Sequence, residues 1–382
     1  VDYLTFETAL KKELDDLGCE VLREVLEALE RKLFESKERK RNWVVERKNE
    51  CKSILTPFGN LTFRRSYYCS KNGEGYKHLV DEQVGITPHM RVGVNLKALL
   101  ADTSSSSSYE ATTVHVSHHN AGVKLSRQVV ANCVKDFKAK GVQKTAQKRS
   151  VATIYIEADE DHIKLRGRNG AQARLIYVHE GVEEKPRRHL INARYFTTVN
   201  KTPEEFWTEV ADYIADQYDL SSIKTIFLSG DGAPWIQAGK EYIPGAIYIL
   251  DKFHLAKYIV KATAHAPALR PAVYQAIQSL NKQAVLDILQ EALERTEQPP
   301  RQRRIQDTMG YIKNNWDGIE ASVKHPTVGC SAEGHVSHIL SERLSSRPMA
   351  WSLEGAGNMP LLNGKNILTR VALRGLSNQM VI

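Results

Sequence analysis

The chain has 382 residues, of which 42% are hydrophobic, and its formal net charge is +8. This length suffices for two or three domains with hydrophobic cores, and no run approaches the roughly 18 consecutive apolar residues of a membrane span. The amino end lacks a secretory signal pattern, and the five cysteines include no C-x-x-C pair. We therefore expect a reduced, cytoplasmic, non-membrane protein, and the positive charge favours a polyanionic partner.

An amphipathic helix is predicted at the amino end, from residue 3 to about residue 40. Its apolar residues recur every three or four positions on one face: Leu10, Leu14, Leu17, Val21, Val25 and Leu29. This pattern indicates a packing helix, or alternatively a helix for dimerisation or for binding the DNA backbone. Two strands, at 53–55 and 61–68, complete an amino-terminal region of residues 1–93.

A helical region is predicted over residues 94–137. Its helices fall at 95–100, 109–116 and 127–137, with a serine-rich stretch at 103–108 and a turn at 118–122. The third helix has an apolar face of Val130, Cys133, Val134 and Phe137. A loop rather than a metal site is expected at the histidines, because no cysteine or acid lies at ligand spacing from His115, His118 and His119.

The opposite face of the third helix carries polar residues at i, i+4 and i+7, namely Gln128, Asn132 and Lys135. Such residue types reach base edges or phosphates from a helix in the major groove. We therefore predict a helix-turn-helix in which DNA is contacted by Ser126, Arg127, Gln128, Asn132 and Lys135. Ordinary packing of a helical hairpin is the alternative.

A lysine-rich linker at 138–150 marks a domain boundary, after which the pattern becomes mixed α/β. Strands are predicted at 151–158, 173–179 and 190–197, followed by a helix that opens with a capping box at Thr202-Pro-Glu-Glu205. Further strands fall at 224–228 and 246–250. This order of elements is typical of a ribonuclease-H-like mixed sheet. Residues 151–252 are therefore predicted to form the first part of a ribonuclease-H-like catalytic core.

Three acids follow elements of this sheet. Asp159 comes after the first strand, Asp231 lies in the turn Ser229-Gly-Asp-Gly232, and Glu333 opens a helix that runs to residue 344. Acids at the carboxyl ends of strands suit a hard cation such as Mg²⁺. Asp161 is the alternative to Asp159, and each acid by itself could be a solvated loop or cap residue.

Between Asp231 and Glu333 lie mostly helical residues, which predict an all-helical insertion at 253–328 with interruptions near 267–271 and 298–304. The last helix of the core is placed at 329–358, and the tail, 359–382, has no clear element. Trp316 lies at the end of the insertion. It could stack on an unpaired DNA base, or it could be a buried anchor for the insertion.

Four ordered blocks of this sequence resemble those of a known family. They are Ala158-Asp-Glu-Asp-His-Ile163, Ser229-Gly-Asp-Gly-Ala-Pro-Trp-Ile236, Leu250-Asp-Lys-Phe-His-Leu-Ala-Lys257, and Gly329-Cys-Ser-Ala-Glu-Gly-His-Val-Ser-His338 followed by Leu344-Ser-Ser-Arg-Pro348. Over nearly its whole length the chain resembles the bacterial Lre-type insertion-sequence family of DDE transposases, relatives of the Mutator-like elements.

The resemblance implies a catalytic metal site formed by Asp159, Asp231 and Glu333, with Asp251 and His254 beside it. It implies two Mg²⁺ or Mn²⁺ ions as cofactors, and double-stranded DNA, both transposon ends and target, as partner. A homodimer or larger assembly on DNA and a nucleoid-associated bacterial location are further implications. His254 could contact the scissile-strand phosphate or cap its helix.

Three functions remain open from the sequence. The first is a transposase that cuts element ends and joins them to new DNA. The second is an inactive transposon remnant that only binds DNA through residues 94–137. The third is a ribonuclease or structure-specific nuclease on the same sheet, which would hydrolyse strands without joining them.

Overall fold

The computed structural model describes residues 2–120, 123–136, 147–167, 170–185, 189–347 and 349–363. They divide into two compact units, one formed by the chain up to residue 136 and one by the chain from residue 147 onwards. Phe137, most of the predicted linker and the tail beyond residue 363 lie outside the described residues. Among the described helices, none combines the length and the apolar character needed to cross a membrane.

The first unit begins with a 33-residue helix beside a small antiparallel sheet. Its first elements are α1 (Tyr3–Glu35), α2 (Lys37–Asn42), β1 (Trp43–Thr56), β2 (Gly59–Ser70), β3 (Tyr76–Lys77) and α3 (Leu79–Val84). The two predicted strands are present but longer, because β1 and β2 pair from Trp43↔Ser70 to Thr56↔Gly59. Cross-strand pairing extends them through charged residues that give no strand signal in the sequence.

The apolar stripe of α1 is only partly covered by this sheet. Leu29 packs with Leu22, Leu26 and Leu33 against a buried cluster in the sheet and α3. In contrast, five residues of the stripe have exposed fractions of 49–59%: Leu10, Leu14, Leu17, Val21 and Val25. The packing interpretation is wrong for these five, because the sheet contacts the carboxyl-terminal half of α1 and does so on a neighbouring face.

Three further helices pack around one apolar cluster. They are α4 (Val94–Ser106), α5 (Tyr109–His119) and α6 (Arg127–Lys135), and their shared cluster includes Leu96, Leu100, Val116 and Val130. Helix α4 contains part of the serine-rich stretch, and the hydroxyls from Thr103 to Ser106 donate to preceding backbone carbonyls. Helix α5 includes His118 and His119, so the loop predicted there is wrong. Histidines are favourable in the last turn of a helix.

A five-stranded mixed sheet forms the centre of the second unit. Its strands are β4 (Thr153–Ile163), β5 (Ala171–His179), β8 (Arg194–Thr198), β9 (Thr225–Gly230) and β10 (Ala246–Leu250). A separate two-stranded ribbon is formed by β6 (Val182–Glu183) and β7 (His189–Leu190). The sheet order is β10-β9-β4-β5-β8. Strands β4, β5 and β8 form an antiparallel meander, while β9 and β10 run parallel to β4.

The helices of this unit are α7 (Pro203–Gln217), α8 (Pro234–Gln237), α9 (Gly239–Tyr242), α10 (Lys252–Ala262), α11 (Arg270–Gln278), α12 (Lys282–Glu294), α13 (Pro299–Asn314), α14 (Trp316–Lys324), α15 (Ala332–Val336), α16 (Glu342–Leu344) and α17 (Leu353–Asn363). A π-helical segment, Ser337–Ser341, joins α15 to α16. The capping box of α7 is confirmed, with Thr202 and Glu205 each bonding the other's backbone N–H.

Two sequence predictions for these helices are corrected. The interruption predicted at 298–304 lies at 295–298 instead, between α12 and α13, because Pro299 occupies the first turn of α13, where its missing N–H leaves no hydrogen bond unmade. The region after residue 359, predicted to lack a clear element, still belongs to α17 as far as Asn363.

Candidate active site

Acids from three neighbouring strands meet at one end of the five-stranded sheet. Asp231 directly follows β9, and Asp251 directly follows β10. Asp159 lies in β4, two residues beyond the last parallel pairing with β9, Glu157↔Ser229. The sequence predicted Asp159 just past its strand, whereas β4 continues to Ile163 because its second half pairs with β5. The three carboxylates therefore lie at the carboxyl ends of the parallel strands, where ligands collect in α/β sheets.

The environment of Asp159 disfavours its negative charge. Its exposed fraction is 7%. Burial raises the pKa of Asp159 to about 6; the bond from the Glu160 N–H and the charge of His254 oppose this shift, while the charges of Asp231 and Asp251 add to it. The charges of Asp231 and Asp251 act on Asp159 because their carboxylates lie near it.

Asp161, the alternative to Asp159, has a different partner. Because side chains alternate along a strand, Glu157, Asp159 and Asp161 lie on one face of β4 and Glu160 on the other. The Asp161 carboxylate accepts a hydrogen bond from the Ser345 hydroxyl at 2.5 Å, which ties β4 to the end of α16. The charge of Asp231 contributes to the raised pKa of Asp159, which lies nearer the end of β9.

The Asp231-Gly232 turn is fixed by the end of the helical insertion. Gly232 has φ +98°, and a Cβ at this position would lie 2.6 Å from the Asn315 Oδ1. The Tyr311 hydroxyl donates to the Asp231 carbonyl at 2.6 Å, and the Asp231 side chain accepts from the Ala233 N–H at 2.9 Å. Glycine is thus required both by the left-handed backbone and by the close approach of Asn315.

Asp251 and His254 form a hydrogen-bonded pair at the start of α10. The Asp251 carboxylate caps the helix by accepting from the Phe253 N–H at 3.0 Å, and it contacts the His254 Nδ1 at 2.7 Å. This bond is the main cause that raises the pKa of His254; burial opposes it, and the charges of Asp251, Asp159 and Asp231 assist it. Asp251, and not His254, caps the helix. The positive charge of His254 lowers the pKa of Asp159 and so opposes the effect of burial.

Glu333 lies on α15 with its side chain exposed. Ser331, two residues before it, is bound to β4 through Glu157. The buried Glu157 carboxylate accepts from the Ser331 N–H, from the Ser331 hydroxyl at 3.2 Å and from the Tyr177 hydroxyl at 2.6 Å. The Glu157 network therefore holds the start of α15 against the face of β4 that also carries Asp159.

A buried histidine completes this network. The His179 Nε2 lies 3.0 Å from Glu157, which is 4% exposed. Burial alone would raise the pKa of Glu157, but hydrogen bonds from His179, Tyr177 and Ser331 hold it below its usual value. Glu157 is thus a structural carboxylate with its oxygens already bonded, in contrast to Asp159.

The described residues contain no group of three or more His, Cys, Asp or Glu side chains arranged to hold a metal ion. Glu333 is among the residues to which this statement applies. Its charge does not contribute to the raised pKa of Asp159. The chemistry of the acids nevertheless fits a hard cation. Carboxylate oxygens are the preferred ligands of Mg²⁺, and a cation would offset the charges of Asp231 and Asp251, which add to the effect of burial on the Asp159 pKa.

The predicted DNA-contacting residues of α6 lie on its exposed side. Gln128 and Asn132 are hydrogen-bonded to each other at 2.7 Å, and Arg127 forms an ion pair with Glu110 at 3.2 Å. Ser126 caps the helix through the Val129 N–H. Lys135 is also exposed, whereas Val130, Cys133 and Val134 are buried.

Trp316 is located in the hydrophobic core rather than on the surface. Its exposed fraction is 7%, it belongs to the main apolar cluster, and its Nε1 donates to Glu320 at 2.8 Å. This placement corresponds to the buried anchor of the insertion and leaves no exposed ring for a base to stack on.

Sequence reasoning missed Glu157, Tyr311 and Asn315. Glu157 had one available signal, since an acid inside a β-branched apolar run is unusual and calls for a buried partner. The other two gave none, because Tyr311 reaches Asp231 across 80 positions. Such contacts depend on how the insertion folds back onto the sheet.

Comparison with known proteins identifies relatives over nearly the whole chain. Residues 3–364 match the profile described as "Uncharacterised protein family (UPF0236)". UPF0236 protein TTE2489 of Caldanaerobacter subterraneus subsp. tengcongensis is 38% identical over 91% of this chain and 74% of its own length. The UPF0236 protein in the vanSb 3' region of Streptococcus gallolyticus is 24% identical over 93% of this chain and 81% of its own.

Another relative from C. subterraneus, with the same 38% identity over 91% of this chain, has a name that joins eleven loci of that organism. The family thus has many members within one bacterium. The extent of the profile match and the coverage of these relatives show that the chain belongs to the UPF0236 protein family.

Proposed function

We propose that this protein is a DDE-type DNA transposase, which cleaves DNA at the ends of its own insertion sequence and transfers the strands to target DNA. The observation that carries the proposal is the meeting of Asp159, Asp231 and the Asp251–His254 pair at one sheet end, with the Glu333 helix bound to the same face of β4. Each of these positions lies in a block that resembles the transposase family.

The order of the sheet supports the proposal. An antiparallel three-stranded meander, followed by two strands parallel to its first strand, is the arrangement expected of a ribonuclease-H-like core. The helical insertion α10–α14 lies in the sequence between the second and third acids, as the family resemblance implies. A fold does not specify a function, so the proposal depends mainly on the acidic residues at the sheet end.

Two independent observations agree with a mobile element that acts on DNA. A relative's name joins eleven loci of one organism, and repeated genomic copies are expected of a sequence that transposes. The net charge of +8 suits a polyanionic partner. The three-helix region α4–α6 has Gln128, Asn132 and Lys135 on its exposed face. In this proposal it would act as the DNA-binding module, in the manner of a helix-turn-helix.

Asp159, Asp231 and Glu333 would hold the Mg²⁺ or Mn²⁺ ions. When bound, two such ions supply an activated oxygen nucleophile and neutralise charge on the reacting phosphate. The chain's own groups would then orient the substrate. Protonated His254, held by Asp251, can donate a hydrogen bond to a phosphate oxygen, and Tyr311 and Asn315 keep the Asp231 turn in place.

The test is incubation of the purified chain with DNA that carries the flanking ends of its own gene, in the presence of Mn²⁺. Nicked and joined products are expected from the wild type. The Asp159→Asn and Asp231→Asn variants should lose both products while they still retard the same DNA in a gel. Asp212→Asn, which changes an exposed aspartate of α7, is the matched control and should remain active.

Other outcomes would replace the proposal. DNA that is bound but never cut by the wild type would assign a binding protein without transposase activity. Hydrolysis without joined products would assign a nuclease. Equal loss of DNA binding and cleavage in the Asp231→Asn variant would contradict separate binding and catalytic modules.

A further inference from the structure

Helix α1 has two different faces. Leu22, Leu26, Leu29 and Leu33 pack on the sheet of the first unit, and the Glu30 carboxylate accepts from the Tyr68 hydroxyl at 2.7 Å. The apolar stripe described above remains exposed among the described residues. Every residue from 2 to 14 is likewise exposed, so the first turns of α1 have no packing from the part of the chain that is described.

The spacing of the exposed stripe is that of a coiled-coil seam. Tyr3, Leu10 and Leu17 are seven residues apart, and Leu14 and Val21 form a second series of the same period. Alternating steps of three and four are the a and d positions of a heptad repeat. Helices in proteins are stabilised mainly by packing of their apolar face, so a partner on the exposed stripe would stabilise the amino-terminal part of α1.

The size of the stripe matches a stable dimer. Tyr3, Leu4 and Phe6 extend it, with exposed fractions of 78%, 72% and 59%. Eight such side chains at on the order of 100 Å² each would bury roughly 800 Å² per copy, the contribution of one partner to a standard interface. The Phe58 ring, 42% exposed, lies over Gly18 beside the stripe and adds to this surface.

The charges beside the seam select a second copy in parallel orientation. In the heptad, Glu13 and Glu20 flank one side, while Lys11, Gly18 and Val25 flank the other. A parallel pair sets each glutamate near Gly18 or Val25 of the other copy, whereas an antiparallel pair would set glutamates against glutamates. The acidic flank also disfavours a DNA backbone as the occupant.

We infer that α1 mediates self-association of this protein as a parallel two-stranded coiled coil through Leu10, Leu14, Leu17 and Val21. The inference does not depend on transposase activity, because the association is between protein chains and is measured without DNA. It would place two copies of the first unit side by side.

Sedimentation equilibrium of the full chain without DNA is the test, at micromolar concentration. The wild type should have twice the mass of one chain, and the variant with both Leu14→Glu and Leu17→Glu should have the mass of one. Leu220→Glu, at a leucine with a similar exposed fraction of 56%, is the control and should remain dimeric. A monomeric wild type, or a dimer that survives both glutamates, would overturn the inference.

Orientation is tested by cross-linking. Leu10→Cys and Val21→Cys should each form a disulfide with the same residue of the other copy, because a parallel coil sets identical positions within the reach of about 4–7 Å between Cα atoms. Cross-linking only between the two different variants would show an antiparallel pair and contradict the assigned orientation. The unsubstituted chain is the control for its own cysteines. A DNA-dependent dimer, absent without DNA, would count against α1 as the interface.

Discussion

The two regions on which the proposed function depends are built in different ways. At the acidic end of the sheet, Asp159 is 7% exposed, and Asn315 approaches Gly232 too closely for any side chain. On α6, Gln128, Asn132 and Lys135 are exposed, and Gln128 and Asn132 bond to each other along the helix. Charges that act on a reacting phosphate need fixed positions, whereas side chains that read DNA adjust to it on binding.

This difference predicts where a substitution is felt. Changes at the sheet end should alter catalysis and folding together, because the same buried bonds serve both. Changes on α6 should alter DNA affinity and leave folding intact.

Glu333→Gln should reduce cleavage by on the order of 10³-fold or more, about 4 kcal/mol of barrier, because it removes one metal-ligating charge. The rate of nicking with Mn²⁺ is the measurement. Glu342→Gln, at an exposed glutamate of α16, is the matched control. If Glu333→Gln cleaves at the wild-type rate, the third ligand lies elsewhere, and Asp251 becomes the first candidate.

Asp159→Asn should stabilise the metal-free protein above pH 6 by up to about 3 kcal/mol. The folded pKa is raised from 3.8 to about 6, so the ionised carboxylate costs folding free energy. This cost is absent below pH 4, grows as the pH rises through 6 and is complete above it. Denaturant unfolding at pH 4 and pH 7.5 measures the change.

Repeating the unfolding measurement with Mn²⁺ distinguishes the effect of the Asp159 charge on stability from an effect of side-chain packing. The metal should stabilise the wild type and not Asp159→Asn. A variant whose stability gain is equal at both pH values would show that ionisation of the buried Asp159 carboxylate is not the cause. Asp212→Asn should show no gain at either pH.

Glu157→Gln should lower the free energy of unfolding by about 2 kcal/mol, since a charged acceptor of buried hydrogen bonds becomes neutral. Thermal unfolding is the measurement. Glu209→Gln, which breaks only an exposed ion pair with Lys201, should change stability by less than about 1 kcal/mol. Equal effects of the two substitutions would mean that the Glu157 network does not hold α15.

Gln128→Ala or Asn132→Ala should each reduce discrimination between DNA sequences by about 1 kcal/mol, with unchanged thermal stability. Lys135→Ala should instead weaken all DNA alike and lower the salt dependence of binding by about one phosphate contact. Binding titrations at several salt concentrations measure both effects. A fall in melting temperature comparable to that of Glu157→Gln would remove the contrast between the two regions.

Several local elements of this protein could be predicted from the amino-acid sequence. The capping box fixed the start of α7, β-branched runs located β9 and β10, and the glycines around Asp231 predicted its turn. These features depend on neighbouring residues, which is why they can be found without a structure.

Which surfaces pack against each other could not be predicted in the same way, because this depends on the three-dimensional fold. The heptad spacing of α1 revealed an apolar stripe but not that the sheet would cover a different face, because amphipathicity does not specify a partner. The sequence pattern predicted that the strand ends before Asp159. In the structure β4 continues to Ile163, because its second half pairs with β5. Trp316 is buried in the core, and Glu157 bonds to Ser331 across 174 positions. Both contacts arise because distant segments fold against one sheet, and no periodic sequence pattern predicts such contacts.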